Sequence, residues 1–172
     1  MLLAISIYLT YDFDMRPIPY HSQIDDHTCG PATVQMVLAA YGITVSQEEL
    51  DRALETPRDL DKGTEPAAII RVLEQHGLAV VARESGTLAE IEKAISHEHV
   101  VIVCYIDIEW QEGHYVLVTD VNDTHVTLCD PNPDHGPHYK ISRTDFTDHW
   151  RDPCYTKTNR WMAEVSVGKA TI

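Results

Sequence analysis

The spacing of apolar residues changes near residue 100, and this change most constrains the fold. Between Cys29 and about His97, apolar side chains recur every three or four residues, which is the period of an amphipathic helix. From Val100–Ile106 onward, short apolar runs rich in β-branched residues follow one another, as is typical of strands. We therefore predict an α+β fold, with an N-terminal helical lobe packed against a C-terminal antiparallel β-sheet lobe.

Residues that favour helix ends divide the first half into four predicted helices. Ser46 with Glu49, and Thr87 with Glu90, have the spacing of capping boxes, in which two residues exchange side-chain and backbone hydrogen bonds. A glycine directly after a helix favours its termination. The predicted helices run from Cys29 to Gly42, from Ser46 to Leu54, from Thr64 as N-cap to Gly77, and from Thr87 past Ile95.

The second half is predicted to form a sheet of short strands. Asn122 and Asp123 lie between two of them and are typical of a hairpin turn. The predicted strands are Val100–Ile106, Tyr115–Val121, His125–Cys129, Tyr139–Ile141 and about Trp161–Val167, with a helical turn near Asp145–Trp150.

The chain contains no internal repeat and no low-complexity linker, so we expect one domain at residues 16–168. Residues 1–15 are expected to be an N-terminal strand or tail. They are apolar at first, but they lack the basic residues that begin a signal peptide, and Asp12 and Asp14 follow. No apolar run approaches the roughly 20 residues that span a bilayer.

The charge of the chain argues against two classes of partner. Its 13 Lys and Arg against 27 Asp and Glu give a formal net charge of −14. A surface this acidic repels nucleic-acid phosphates and anionic lipids, so we expect neither nucleic-acid binding nor binding to a membrane surface. Membrane insertion is not expected either, because no apolar run is long enough. The four cysteines form no CxxC pair, which favours reduced thiols in a cytoplasmic protein over a disulfide framework.

Cys29 is the cysteine whose position favours chemistry. It lies where an irregular segment becomes the first predicted helix, with Thr28 as a candidate cap and Pro31 suited to the first turn. The unpaired N–H groups and the positive end of the dipole at a helix N-terminus favour a thiolate over a thiol. Cys104, Cys129 and Cys154 have no helix-start context, and we expect them to be structural.

A thiolate nucleophile needs a proton acceptor and a group that orients the acceptor. His114 begins an apolar strand after Gly113, and Asp130 ends the second strand of the predicted hairpin. Adjacent antiparallel strands bring such residues together, and a carboxylate beside an imidazole fixes its tautomer and favours the imidazolium. Gln23 lies six residues before Cys29, so its amide and the Cys29 backbone N–H are candidate donors to an oxyanion.

These residues stand in motifs that resemble a known family. The sequence has Pro17-Ile18-Pro19-Tyr20-His21-Ser22-Gln23, then Cys29-Gly30-Pro31-Ala32, Gly113-His114-Tyr115 and Asp130-Pro131. From about Arg16 to Val167 it resembles the bacteriocin-processing (double-glycine) cysteine peptidases, and more closely their stand-alone, peptidase-like branch. The resemblance implies a papain-like fold with Cys29 as nucleophile, His114 as general base, Asp130 orienting His114 and Gln23 lining the oxyanion hole.

Two departures from that family limit what the resemblance implies. Its transporter-fused members usually carry Asp directly before the cysteine, where this chain has Thr28. The membrane and ATP-binding segments of those exporters are also absent from this sequence. The role of trimming a leader peptide during export therefore does not carry over with the resemblance.

The expected reaction is acyl transfer from a peptide or protein substrate through a thioester on Cys29, with no cofactor. Two alternatives stay open on the same residues: an acyltransferase that uses an amine or thiol acceptor, and an inactive peptide-binding module. A third alternative is a metal site. Two of its candidate ligands, His135 and His138, lie in a Gly/Pro loop that is expected to be solvated, which argues against this alternative. The candidate ligands are His97 with His99, or His125, Cys129, His135 and His138. The resemblance implies one candidate substrate, a leader peptide that ends in two glycines, which would suit a narrow groove between the lobes. The oligomeric state stays open.

Overall fold

The structure is a computed structural model that describes residues 17–58, 62–151 and 159–168. The N-terminal strand or tail predicted at residues 1–15 lies outside the described residues, and so does Cys154.

The described chain contains five α-helices and six strands, with three helices first and most of the strands later, so the α+β prediction is confirmed. The helices are α1 (Cys29–Ala40), α2 (Gln47–Leu54), α3 (Pro66–Gln75), α4 (Leu88–Ser96) and α5 (Arg143–His149). The strands are β1 (Leu78–Arg83), β2 (Val100–Ile106), β3 (Gly113–Val121), β4 (His125–Cys129), β5 (Tyr139–Ser142) and β6 (Met162–Val167), and a 3-10 helix covers Gly136–His138.

The helix ends follow the capping residues in two cases and depart from them in one. Both capping boxes form, at Ser46 with Glu49 and at Thr87 with Glu90. The prediction that Thr64 caps α3 is wrong, because Glu65 holds the N-cap position. Thr64 is 1% exposed, and its hydroxyl instead shares a hydrogen bond with the Thr56 hydroxyl at 3.1 Å. Because the Thr64 hydroxyl bonds to the buried Thr56, it does not cap the helix.

The strands form one antiparallel sheet in the order β1-β6-β2-β3-β4-β5. All seven residues of β2 are buried, as expected for a central strand. β1 is a strand that the apolar spacing does not predict, and it lies in the half expected to be helical. It is an edge strand, mostly half-buried or exposed, and it pairs with β6 from the other end of the chain. A half-exposed edge position and a partner strand distant in the sequence leave no local pattern from which β1 could be predicted.

Helices cover both faces of the sheet, rather than forming a separate lobe on one side. One face packs against α1, α2 and α3, with Leu38, Leu73 and Leu117 in its core. The other packs against α4 and α5, with Ile91, Val103 and Phe146 among the buried residues. Alternate residues of β2 supply the two cores, because successive side chains of a strand point to opposite faces.

Within the described ranges, none of the helices has both the length and the apolar character that crossing a membrane requires.

Candidate active site

One hydrogen bond fixes the helix that begins at Cys29 against the strand that carries His114. The buried hydroxyl of Thr33, one turn into α1, donates to the backbone carbonyl of Tyr115 at 2.9 Å. Tyr115 directly follows His114 on β3. Residues from the two halves of the chain therefore meet at the N-terminus of α1, where Cys29 is the first helical residue and is half-buried.

The loop before Cys29 is held by the side chain of Thr28. Its hydroxyl accepts hydrogen bonds from the backbone N–H groups of Ile24 and Asp25, at 3.1 and 3.2 Å, and donates to the carbonyl of Asp25 at 3.1 Å. Thr28 occupies the N-cap position of α1, but its side chain makes no capping bond. The prediction that the Thr28 side chain caps α1 is therefore wrong. Its hydroxyl bonds to the preceding turn and makes no hydrogen bond to the N-terminus of the helix.

His114 and Asp130 form a buried hydrogen-bonded pair. His114 Nε2 lies 2.6 Å from Asp130 Oδ1, and the two residues are 5% and 0% exposed. Burial raises the pKa of the Asp130 carboxyl, but the hydrogen bond to His114 and the charge of its ring outweigh burial, so that the pKa of Asp130 lies below its usual value. Asp130 is therefore an anion beside the imidazole at neutral pH.

The charge of His114 depends on two partners. Burial lowers the pKa of the imidazole, whereas hydrogen bonds to Asp130 and to the Cys29 side chain, with their charges, raise its pKa to about 10. Because Nε2 is bonded to Asp130, Nδ1 is the nitrogen left for the Cys29 sulfur. The hydrogen bonds and the charge of Asp130 therefore favour the imidazolium form of His114 across the neutral range.

Gln23 is tied by its backbone to the strand side of the site. Its N–H donates to the carbonyl of Pro131 at 2.8 Å, directly after Asp130. One N–H of its side-chain amide donates to the carbonyl of Asp25 at 3.0 Å, which leaves the second N–H of this group available. The amide oxygen is buried without a partner.

His135 is a residue of this site that the sequence pattern does not predict. The sequence predicts that it is solvated, but its side chain is only 6% exposed, and its Nδ1 lies 2.9 Å from Asp130 Oδ2. Its ring stacks on Tyr139 with a centroid distance of 3.9 Å and an interplanar angle of 3°. The loop after Asp130 thus folds back so that His135 contacts the carboxylate. The sequence of a Gly/Pro loop does not predict this contact.

Two other cysteines have structural positions. Cys104 and Cys129 are buried in β2 and β4, and neither is in a disulfide. Burial and the nearby charge of Asp130 raise the pKa of the Cys129 thiol to about 12. A thiol in this environment is a weak nucleophile, because the thiolate is the reactive form.

Within the described part of the chain, neither predicted set of metal ligands forms a group of three or more around one point. The rings of His97 and His99 do lie near each other, with centroids 5.9 Å apart. His99 Nδ1 lies 2.6 Å from Glu164 Oε1, whereas His125 and His138 are exposed at separate positions. The only described group of three or more ligand-type side chains within reach of one ion is Asp107, Asp130 and His135. Asp130 of this group already accepts a hydrogen bond from His114.

Comparison with known proteins identifies related sequences and folds. The sequence profile of the peptidase C39 family matches residues 17–157. The chain is 28% identical over 132 residues, 76% of its length, to the lactococcin transport/processing ATP-binding protein LcnC-like of Lactococcus lactis, and the match covers 17% of that relative. The matched part of this chain therefore spans less than a fifth of the length of that relative.

Two solved structures share the fold. The peptidase domain of Streptococcus ComA, a bi-functional ABC transporter, matches with a TM-score of 0.68 at 20% identity, over 86% of this chain and 96% of that one. A double glycine motif protease from an AMS/PCAT transporter, in complex with a leader peptide, matches with a TM-score of 0.65 at 19% identity, over 88% and 92%. The predicted papain-like peptidase fold is confirmed by these likenesses.

Proposed function

Because this chain belongs to the peptidase C39 family, we propose that it is a cysteine peptidase and that residues 16–168 form its single peptidase domain. Cys29 is the nucleophile, His114 the general acid and base, Asp130 the orienting carboxylate and Gln23 an oxyanion donor. The observation that carries these roles is the buried His114–Asp130 pair, 2.6 Å apart, whose imidazole also interacts with the Cys29 side chain.

The first half of the reaction forms an acyl-enzyme. The Cys29 thiolate attacks the carbonyl carbon of the scissile amide, a C–S bond forms, and the carbonyl oxygen becomes an oxyanion. The imidazolium of His114 then gives its proton to the leaving amine as the C–N bond breaks. The N-terminus of α1 supports the starting thiolate, because unpaired backbone N–H groups at a helix start favour an anion.

The second half releases the acid product. Neutral His114 accepts a proton from water, the resulting hydroxide attacks the thioester, and the C–S bond breaks to restore the thiolate–imidazolium pair. Asp130 holds the ring in one orientation and stabilises its charged form through both steps. The second amide N–H of Gln23 and the Cys29 backbone N–H are the proposed donors to the oxyanion.

The proposed substrate is a peptide cleaved after two glycines. This choice draws on the relatives, one of which is a double glycine motif protease in complex with a leader peptide. A glycine pair also suits the reacting centre, since it presents no side chain at the residues next to the thiolate. The same thioester could pass its acyl group to an amine, so the test measures both outcomes.

The test uses a fluorogenic peptide with a Gly-Gly pair before the cleaved bond, the whole chain, and the Cys29→Ala and His114→Ala variants. We expect turnover by the parent protein and none above background by either variant. Adding hydroxylamine or a primary amine reports how the thioester partitions between water and other acceptors. Absence of cleavage of peptides with and without glycine pairs, with folded protein, would refute the peptidase function.

A further inference from the structure

A second carboxylate lies beside the proposed catalytic Asp130. Asp107, directly after β2, is 1% exposed, and Asp130 is 0% exposed. The Tyr105 hydroxyl lies 3.4 Å from Asp107 Oδ2 and 3.5 Å from Asp130 Oδ2, so the two carboxylates share this neighbour. Tyr105 has one hydroxyl proton and can satisfy only one of them. The two facing Oδ2 atoms therefore have this one donor between them, and like charges placed so close together disfavour the ionised forms.

His135 supplies a second donor between the two facing Oδ2 atoms. Its Nδ1 lies 2.9 Å from Asp130 Oδ2 and 3.7 Å from Asp107 Oδ2. An ionised carboxylate only accepts hydrogen bonds, so Nδ1 must carry the proton. The opposite nitrogen, Nε2, is buried without a partner, a costly arrangement for a polar atom. The stack on Tyr139 and the bond to Asp130 hold the ring in place despite that cost.

We propose that His135 is a positioning residue, whose Nδ1–H keeps Asp130 an unprotonated carboxylate directed at His114 in the presence of Asp107. His135 has this role in turnover only if the peptidase function proposed above holds. Asp130 Oδ1 serves His114 and the Asn132 backbone N–H, the latter at 2.8 Å. Its Oδ2 accepts a hydrogen bond from His135. Donors therefore hold both oxygens, and rotation of the carboxylate would break these hydrogen bonds.

Substitutions at residue 135 separate the donor from the packing. His135→Phe keeps an aromatic ring on Tyr139 but removes the donor, and His135→Asn restores an N–H donor near the position of Nδ1. We expect kcat of His135→Phe to fall about 10- to 100-fold, the range seen when a group that orients a functional ligand is removed, with KM nearly unchanged. His135→Asn should recover most of kcat. His138→Phe is the matched control, because His138 is exposed in the same loop.

A double variant tests why the donor is needed. Asp107→Asn removes the second charge and places an amide N–H where Asp107 Oδ2 faces Asp130, while its remaining oxygen can still accept from the N–H groups of Glu109 and Trp110. In the His135→Phe background it should restore kcat at least several-fold. A His135 that only fills space predicts instead that the double variant is as slow as His135→Phe, or slower. That result would overturn the role of the donor, and so would equal kcat values for the His135→Phe variant and the parent protein.

The rate of Cys29 alkylation by iodoacetamide at pH 7 gives a readout that does not need turnover. It should fall in His135→Phe and recover both in His135→Asn and in the double variant. If the parent protein cleaves no peptide, the peptidase function fails while these alkylation rates still decide the positioning role. Thermal unfolding identifies a variant that does not fold, and His135→Leu, which also lacks the donor, then replaces His135→Phe.

Discussion

Replacing Asp130 with asparagine removes the charge beside His114 and keeps the shape of the side chain. The Asn oxygen can still accept from His114 Nε2 and from the Asn132 N–H, which lie 2.6 and 2.8 Å from Asp130 Oδ1. Its NH₂ group then faces His135 Nδ1, at the position where the carboxylate oxygen lies 2.9 Å away, and donates to Nδ1 once the His135 proton moves to Nε2. The ring of His114 therefore stays oriented while the stabilisation of its charged form is lost.

The structure sets the size of the expected effect. Burial alone lowers the pKa of His114, and the bonds and charges of Asp130 and Cys29 raise it from 6.5 to about 10. This difference corresponds to about 5 kcal/mol in favour of the imidazolium, and Asp130 is the largest of the raising influences. The imidazolium is present below the pKa and is lost as the pH rises through it. In Asp130→Asn this loss should therefore occur well below pH 10.

The assay is the rate of Cys29 alkylation from pH 5 to 10, followed by mass spectrometry of the labelled peptide, together with peptide cleavage at pH 7. Cleavage should fall about 10²- to 10⁴-fold, the scale of losing the carboxylate from a nucleophile–His–Asp set, and the alkylation profile should change on its alkaline side. Asp134→Asn is the control, since Asp134 is exposed in the same loop. An unchanged profile with cleavage within about threefold of the parent would refute the proposed role of Asp130.

Three further outcomes are expected. In a Cys154→Ser background, Cys29→Ala should abolish rapid labelling by iodoacetamide at pH 6, because Cys104 and Cys129 are buried; equal labelling with and without Cys29 would contradict an activated thiol. Gln23→Ala should lower kcat about 10²- to 10³-fold if its amide stabilises the oxyanion, with a melting temperature close to that of the parent; a kcat within twofold would exclude the donor role. Thr33→Val should lower the unfolding free energy by about 1–3 kcal/mol in denaturant titrations, because the Tyr115 carbonyl loses a buried donor at 2.9 Å; no change would mean that this bond does not hold α1 on β3.

Elements with a local signal were predictable from the sequence. The capping boxes at Ser46 and Thr87 form, and the apolar run Val100–Ile106 is a fully buried strand. Each of these depends on residues within a few positions of one another, so propensity and spacing suffice to predict them. The same holds for Cys29 at a helix start, since a cap candidate and Pro31 stand beside it.

Elements that depend on distant residues were not predictable. β1 is a strand because β6 pairs with it, and the Thr64 hydroxyl leaves its helix end because it bonds to the buried hydroxyl of Thr56 in the preceding segment. The packing of helices on both faces of the sheet likewise involves residues far apart in the sequence.

The sequence by itself determined the chemistry available to this protein: a thiol at a helix start, an imidazole at the start of a strand and a carboxylate at the end of its neighbour. Tertiary structure alone decided which groups surround that chemistry. It brought His114 within 2.6 Å of Asp130 in a buried site, and it placed His135, Tyr105 and Asp107 around the same carboxylate. The physical reason is that residue type and spacing are local properties, whereas burial and the electrostatic partners of a charge arise only when distant segments pack together.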